Sequence, residues 1–457
     1  MWKILVALVL LAVGAAALWV NAGRAEGPAI EIGGSAVVGQ TGEIAVTVTA
    51  PNAALTALEA TVVQGDLRTP LFALTPETAG DLVVVDDDRV TLTRATGKRV
   101  IAELKAGEAQ VVVTATRPVL FGLREATSTA TSTIEVRLTP PQVAVLSQFH
   151  YINHGGSELV VYRVNPPDAE SGVRVGDRIY RGFPAGSTDP ALRVALFALL
   201  WDQPLNTRIE VFARDSLGNE GSGTFDFRVF AKQFRSSTIS LDDRFLGRVV
   251  PSILQNSPEV RVDDPTNLLA AYLAINRDLR RMNNDAIAAL AAETAPEMLW
   301  QGPFKQLINT AVEAGFADQR TYVYNGQDVD RQVHLGFDLA STAAAPIRAA
   351  NRGRVIHAGW LGIYGNCVIL DHGMGLQSLY AHLSSIGVTA GELVETEAEL
   401  GRSGATGLAG GDHLHFTMLL GGNAITPIDW WSAQWVSDRV LRKLDEAGLP
   451  PPSGGAQ

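Results

Sequence analysis

The strongest constraint on the fold is a long stretch in which apolar and small polar residues alternate. Residues 44–49 read IAVTVT and residues 111–116 read VVVTAT. In an extended chain, alternation places every second side chain on the same face, as in a half-buried β-strand. Short turns such as residues 95–98 separate these runs, and no helical period stands out among them. We therefore predict a β-sandwich domain over residues 28–139.

A second β-rich stretch follows the proline pair at residues 140–141. Its end has the pattern of a hairpin, with a strand at residues 208–214, a turn at residues 215–219 and a returning strand at residues 224–230. This short stretch resembles the last hairpin of bacterial immunoglobulin-like modules. We therefore predict an immunoglobulin-like β-domain over residues 140–235.

The periodicity then changes from two to that of a helix. The apolar residues at helical spacing are Leu268, Leu269, Tyr272, Leu273, Ile275, Leu279 and Met282. Asp264 and Pro265 are the predicted N-cap and first-turn proline. We predict a helical spacer over residues 236–300, which either packs on the last domain or covers its cleft as a lid.

The first 25 residues form a predicted signal-anchor or signal peptide. The apolar run of residues 4–20 would span about 25 Å as a helix, at the short end for a membrane span. Lys3 makes the leading end positive, which favours an inside N-terminus. Cleavage after residues 20–22 is the alternative to a retained anchor. Both interpretations place the body on the periplasmic side, and the anchor would hold it in the inner membrane.

Charge and cysteine content exclude several classes of site. The net charge is −11, and no basic patch carries interleaved aromatic residues, which argues against a nucleic-acid partner. Cys367 is the only cysteine, so the chain has neither an intrachain disulfide nor a Cys-rich zinc cluster. It lies in the apolar run of residues 366–370, where we expect a small, buried core side chain.

Three short motifs carry the candidate chemistry: His334-x-x-x-Asp338, His413-x-His415 and the run of residues 380–383, which contains His382. His334 and Asp338 form a His-x-x-x-Asp motif. In a chain of this composition, about 0.5 matches to this motif are expected by chance. His413 and His415 would share one face of a strand, so one could bind a metal while the other stands just beyond it. His334 and Asp338 would be about 13 Å apart in a straight strand, so the chain must bend between them. Gly336 is the residue that permits a bend.

Two histidines and one carboxylate are the ligand types of a catalytic zinc site, because three protein ligands leave a position for water. The chain contains no His-Glu-x-x-His motif and therefore no glutamate base of that kind. His382 and His413 are histidines that could serve as the base and hold the oxyanion.

Taken together, these motifs resemble the signature of the lysostaphin/LytM-type (M23) metallopeptidases in order and spacing. The matching segments are His334-x-Gly-x-Asp338, residues 346–350, 353–355, 364–373, 380–383, 401–407 and 411–416. The resemblance implies that His334, Asp338 and His415 bind one Zn²⁺, and that His382 and His413 are the catalytic pair. It also implies a β-rich peptidase domain over residues 301–435 that cuts cross-links or stem peptides of peptidoglycan.

The resemblance is incomplete at two places. Thr396 and Glu397 stand where a glycine is common, and Thr417 stands where a glutamate is common. We expect neither departure to touch a metal ligand. Because all five functional residues are retained, an active enzyme is favoured over a non-catalytic regulator of other cell-wall hydrolases. A third interpretation makes the β-domains the main functional part, as docking modules for envelope proteins.

The remaining histidines have simpler interpretations. We predict a structural role for His372 and a surface position for His357. A second metal site at His150 and His154 lacks an evident third ligand. Residues 436–457 are predicted to form a short helix followed by a disordered tail. The predicted fold is therefore mainly β, with a membrane helix, two immunoglobulin-like domains, a helical spacer and the peptidase domain.

Overall fold

The computed structural model describes residues 2–449 and residue 451, and strands predominate among them. The prediction of a mainly β protein with an apolar N-terminal helix is confirmed. The chain divides into two compact units: Met1–Pro141 with Arg214–Glu220, and Gln142–Ala213 with Gly221–Gln457. The finer division into six segments stays a prediction, and the predicted disorder of the tail lies largely outside the described residues.

The first unit begins with the helix α1 (Trp2–Ala22), which is long and apolar enough to cross a membrane. Nine strands follow: β1 (Ala29–Gly34), β2 (Val37–Val38), β3 (Gly42–Thr49), β4 (Ala57–Gln64), β5 (Leu67–Ala73), β6 (Val83–Asp86), β7 (Arg89–Thr96), β8 (Gly107–Val119) and β9 (Arg124–Val136). They form two sheets, of order β1-β3-β7-β6 and β2-β9-β8-β4-β5. In β3 the alternation buries Ile44, Val46 and Val48, as the sequence pattern predicts.

The second unit opens with ten strands: β10 (Gln142–Val145), β11 (His150–Asn153), β12 (Ser157–Asn165), β13 (Glu170–Val175), β14 (Arg178–Arg181), β15 (Phe183–Pro184), β16 (Leu192–Ala198), β17 (Ile209–Arg214), β18 (Glu220–Gly223) and β19 (Phe227–Phe230). The predicted hairpin is only partly correct. The chain that returns after the turn forms two separate strands. β18 lies next to β17, whereas β19 pairs in parallel with β11. Between them Phe225 packs edge-on against His150, where the chain passes from one sheet to the other.

The segment predicted as a helical spacer contains both a strand and helices. It consists of β20 (Ser236–Leu241), α2 (Asp243–Asn256), α3 (Leu268–Ala274), a π-helical turn (Ile275–Leu279) and α4 (Arg280–Ala291). The predicted N-cap is wrong: Asn267 caps α3 by accepting from the Ala270 amide, whereas Asp264 accepts from the Thr266 amide in a preceding turn. The helix α2, whose N-cap is Asp242, was not predicted from the sequence.

The C-terminal region is built on an eight-stranded sheet with two smaller ones. Its strands are β21 (Ala311–Ala314), β22 (Asp318–Tyr324), β23 (Gln327–His334), β24 (Phe337–Ala340), β25 (Pro346–Arg348), β26 (Gly353–Trp360), β27 (Asn366–Asp371), β28 (Leu376–Leu383), β29 (Ser385–Ile386), β30 (Leu393–Val394), β31 (Glu399–Arg402), β32 (Leu414–Leu420) and β33 (Asn423–Ile425). The large sheet has the order β21-β24-β32-β28-β27-β26-β30, with β33 paired to β32. In the order β20-β22-β23, the strand of the spacer joins β22 in parallel register, which attaches the spacer to this region.

Three short helices end the described chain: α5 (Pro427–Trp431), α6 (Ala433–Val436) and, after a π-helical turn, α7 (Arg442–Glu446). They pack against β12 in the same unit. The Lys443 ammonium lies 2.8 Å from the Glu158 carboxylate, and both side chains are buried. The indole of Trp430 donates to the Ser157 hydroxyl at 3.1 Å. These contacts tie β12 to the C-terminal helices.

Candidate metal centre and its cleft

Two neighbouring strands bring three candidate ligands to one point. β24 and β32 are antiparallel, with Asp338 directly opposite His415. His334 ends β23, and the chain bends before β24, so that His334 Nε2 lies 2.9 Å from Asp338 Oδ1. His415 Nδ1 lies 2.9 Å from the same oxygen and 3.0 Å from His334 Nε2. All three residues are buried.

Gly336 is required in this bend for its small size. Its φ angle is not in the left-handed region, so the predicted reason, backbone freedom, is not the main one. A Cβ atom at this position would lie 2.6 Å from the imidazole of His415 and 2.6 Å from the hydroxyl of Thr417. The glycine therefore leaves room for the imidazole of His415.

The tautomers of His334 and His415 follow from the hydrogen bonds that each ring makes on the side facing away from Asp338. His334 donates from Nδ1 to the carbonyl of Gly315 at 3.0 Å, so its Nε2 carries a lone pair. The hydroxyl of Thr417 donates to the carbonyl of Leu335, so it accepts from His415 Nε2 at 3.0 Å. The expectation that Thr417 touches no ligand is therefore wrong, because it orients His415 with Nδ1 facing Asp338.

The carboxylate of Asp338 is held from the other side by Arg320, a residue of β22 that the sequence analysis missed. Arg320 donates from Nη2 to Asp338 Oδ2 at 3.0 Å, which leaves Oδ1 facing the two histidines. Its Nε lies 3.5 Å from Asp318, which in turn accepts from the Ser237 hydroxyl of β20. An arginine in a strand far from any motif gives no sequence signal, and only the pairing of β22 with β23 places it here.

Zn²⁺ fits this arrangement of donor atoms. Two imidazole nitrogens and one carboxylate oxygen converge within 3.0 Å, and the tautomers leave no proton between the nitrogens. Such a convergence of lone pairs is repulsive unless a cation lies among them, and zinc takes these ligand types at about 2 Å. Among the described residues this is the only group of three that could hold a metal ion.

Two further histidines stand beside this group. The rings of His382 and His413 have centroids 4.9 Å apart, and the ring of His382 lies 5.7 Å from that of His415. His382 donates from Nδ1 to the carbonyl of Thr406 at 2.8 Å, and His413 donates from Nδ1 to that of Gly411 at 2.9 Å. Both rings are thereby fixed with Nε2 directed to the site, and His413 Nε2 lies 3.4 Å from Asp338 Oδ1.

Burial sets the charge state of the cluster. It lowers the pKa of His415 to about 4, against a partial opposing effect of Asp338, so this imidazole is neutral at neutral pH, as a metal ligand must be. Burial, reinforced by His413 and His415, holds the pKa of His382 well below its usual range. Burial would also lower the pKa of His413, but the adjacent Asp338 carboxylate outweighs it and raises that pKa. The pair therefore offers one neutral ring and one that readily holds a proton.

The cluster lies in a cavity of about 600 Å³, and the helical segment supplies one wall of it. Phe245, Tyr272 and Arg280 line the cavity from α2, α3 and α4. Arg248 of α2 donates at 2.8 Å to the carbonyl of Gly410, in the loop that leads to His413. The segment thus packs on the C-terminal region and lines one side of the cleft.

The other histidines lie outside the site. His372 is fully buried and donates to the carbonyl of Arg352 at 2.7 Å, in agreement with a structural role. His357 is half-buried, so the predicted surface position is wrong. His150 contacts Ser147, and His154 contacts the carbonyl of Gln203, so neither belongs to a described metal-binding group.

The structure also explains two positions singled out in the sequence, Glu397 and Cys367. Glu397, which stands where a glycine is common, has a φ of +67°, a conformation that glycine adopts without strain. The thiol of Cys367 is fully buried, and this burial raises its pKa, as expected for an inert core cysteine.

Comparison with known proteins identifies this region. Residues 332–427 match the model of peptidase family M23. This segment belongs to peptidase family M23. The match begins two residues before His334 and ends twelve residues after His415, so the whole cluster lies inside the M23 domain.

Curated relatives of the M23 domain include both enzymes and an activator. The DD-carboxypeptidase/endopeptidase Mpg of Neisseria meningitidis is 35% identical over 97 residues, which cover 21% of this chain and 22% of the relative. The murein hydrolase activator EnvC of Escherichia coli is 33% identical over 95 residues, which cover 21% of this chain and 23% of the relative. The chain thus spans about a fifth of the length of these relatives.

Solved structures include one from Pseudomonas aeruginosa assigned to peptidase M23. It is 19% identical, covers 61% of this chain and 94% of its own, and superposes with a TM-score of 0.36.

Proposed function

We propose that the protein is a zinc-dependent endopeptidase that hydrolyses peptide cross-links or stem peptides of peptidoglycan. The supporting observation is the convergence of His334 Nε2, Asp338 Oδ1 and His415 Nδ1, with the two fixed imidazoles of His382 and His413 beside them. Three buried side chains of these types with oriented outer partners suit a catalytic metal, and the two additional imidazoles stand close enough to act on a substrate there.

In the proposed reaction, bound Zn²⁺ supplies Lewis acidity and lowers the pKa of a water molecule. His334, Asp338 and His415 would hold the ion, and Arg320 and Thr417 would keep Asp338 and His415 oriented. The neutral imidazole of His382 or His413 takes a proton from the attacking water at Nε2. The other imidazole, when protonated, donates a hydrogen bond to the oxygen that becomes negative at the scissile carbonyl. Fixing both Nδ1 atoms on backbone carbonyls removes rotation that would misdirect the two Nε2 atoms.

The shape of the cleft is compatible with a peptide substrate. A cavity of about 600 Å³ has the ordinary size of a ligand site, and its arginine, tyrosine and carboxylate side chains offer polar groups to a short peptide segment. The proposed location is the periplasmic side of the inner membrane, with α1 as anchor, which would place this cleft where peptidoglycan occurs.

Digestion of isolated cell-wall sacculi by the purified full-length protein tests this function. We expect soluble peptides to be released with zinc and to disappear with a chelator. His413→Ala should reduce release by a factor of about 100 or more, the usual range for a lost proton-transfer residue. His154→Gln, a histidine outside the site, is the matched control and should retain activity.

The result also separates the enzyme from a non-catalytic regulator. Zinc binding without peptide release, combined with faster release when another cell-wall hydrolase is added, would support the regulator and overturn the enzyme. Mass spectrometry of the released peptides would identify which bond is cut.

A further inference from the structure

The hairpin of β8 and β9 extends beyond the sheet to which it belongs. These strands pair continuously from Gly107 opposite Val136 to Val119 opposite Arg124. The other neighbour of β8, which is β4, pairs with it only as far as Thr116. Residues 117–126 therefore form a two-stranded ribbon that projects past the end of the sheet.

The turn of this ribbon carries exposed apolar side chains. Phe121 is 100% exposed and Leu123 is 70% exposed, and Leu120 precedes them in the same turn. Fully burying a side chain of this size contributes about 1.5–3 kcal/mol. Within the described part of the chain, the exposed phenylalanine and leucine at the projecting tip therefore do not gain the free energy that burial would contribute.

Two arginines at the base of the turn fix the ribbon beside the end of α1. Arg124 donates to the carbonyl of Trp19 at 2.6 Å, and its guanidinium lies 4.8 Å from the centre of the Trp19 ring. Arg117 donates from Nε and Nη2 to the carbonyl of Glu26 at 3.0 and 2.8 Å. An open groove beside the turn is lined by both Leu18 of α1 and Phe121. The tip therefore lies level with the last turns of the apolar helix.

We propose that Leu120, Phe121 and Leu123 insert into the same bilayer that α1 enters, as a second contact between the first β-domain and the membrane. The proposal rests on the proposed anchoring of α1. An apolar tip flanked by Trp19 and two arginines has the composition of a membrane interface, where aromatic rings lie at headgroup level and guanidinium groups meet lipid phosphates. With α1 as the sole membrane contact the domain could tilt together with the helix, whereas a second contact would restrict its orientation at the membrane surface.

A site-specific fluorescent probe in the full-length protein tests the tip. Because Cys367 is fully buried, a thiol-reactive nitrobenzoxadiazole probe should label only an introduced cysteine. Phe121→Cys carries the probe at the tip. Asp66→Cys is the control, because β4 runs away from the tip and the β4–β5 turn lies at the opposite end of the same sheet.

The labelled proteins are reconstituted in vesicles of phosphatidylethanolamine and phosphatidylglycerol. We expect blue-shifted emission from position 121 and several-fold stronger quenching by nitroxide-labelled lipids than at position 66. Leu123→Cys should behave like Phe121→Cys, which guards against an effect of losing the phenylalanine.

Sedimentation with the vesicles separates the two proposals. Co-sedimentation with a tip probe as water-exposed as the probe at position 66 would overturn the insertion and leave the anchor intact. A blue shift that needs an added protein and is absent with lipid alone would assign the tip to a protein partner and also overturn it. Failure to co-sediment would overturn both the anchor and the insertion.

Discussion

At the scale of single residues, the candidate centre depends on groups that the motifs do not include. Arg320 and Thr417 do not belong to the candidate ligand set, yet each contacts one candidate ligand and orients its lone pair towards the others. Outer partners of this kind usually matter to metal affinity almost as much as the ligands. The substitutions Arg320→Met and Gly336→Ala test whether residues outside the candidate ligand set affect zinc affinity.

Arg320→Met should weaken zinc binding by a factor of about 10 to 100, because Asp338 would lose the partner that fixes its carboxylate. Competition with a chromophoric zinc chelator measures the affinity. Arg331→Met is the control, since Arg331 is exposed on the neighbouring strand β23 and pairs only with Asp328 among the described residues. Equal zinc affinities for the two variants would contradict the positioning role.

Gly336→Ala should lower zinc affinity by at least a factor of about 10, because the new methyl group would overlap the imidazole of His415 and displace a ligand. The same zinc competition measures it, together with thermal unfolding of the metal-free protein. Gly410→Ala provides the comparison, since a Cβ there meets nothing within 4 Å. An unchanged zinc affinity in Gly336→Ala would show that the site relaxes around the methyl group.

At the scale of elements, the helical segment is joined to the M23 domain by specific polar contacts as well as by apolar packing. Asn283 of α4 accepts through Oδ1 from the amide of Ile363 at 2.9 Å. The backbone of Gly362 approaches Asn283 so closely that a Cβ there would lie 2.3 Å from it. This fit indicates a fixed wall of the cleft rather than a lid that opens freely.

Asn283→Ala should reduce the free energy of unfolding by about 1–3 kcal/mol, because it leaves a buried amide of Ile363 unpaired. Denaturation in urea measures the loss. The adjacent Asn284 is exposed on the same helix, so Asn284→Ala should change the stability by less than about 0.5 kcal/mol. Equal effects of the two substitutions would contradict the proposed docking contact.

At the scale of the molecule, a buried ion pair connects β12 to the C-terminal helices within the second unit. Burial opposes the charge on Glu158 and on Lys443, and each partner offsets part of that penalty for the other. Lys443 also donates to the carbonyl of Leu159 at 2.9 Å. Neither charge is stable there alone.

Lys443→Met should therefore destabilise the protein by about 3–5 kcal/mol, because the Glu158 carboxylate would be left buried without a partner. The double variant Glu158→Gln/Lys443→Met should recover much of this loss. Urea denaturation of both variants measures the difference. A double variant no more stable than the single one would show that packing of the long side chain, rather than charge, is what the pair contributes.

The sequence by itself predicted a β-rich first unit, the apolar helix and the five side chains that the structure brings together in the candidate centre. Alternation in residues 44–49 reports burial directly, because side chains in a strand change faces at every residue. The motifs that contain His334, Asp338 and His415 are short, so they can be recognised in the sequence by their order and spacing. Local sequence did not predict the helix cap at Asn267, the helix α2 or the split return of the hairpin, because tertiary packing determines all three.

Only the tertiary structure decided what surrounds the centre. Arg320 reaches Asp338 through the pairing of β22 with β23, and the cleft gains Tyr272 and Arg280 from helices far along the chain. These partners are brought together by sheet order and helix docking, which no local pattern encodes. Short motifs therefore name the candidate donor atoms, whereas the fold decides which tautomers those atoms take and which neighbours surround them.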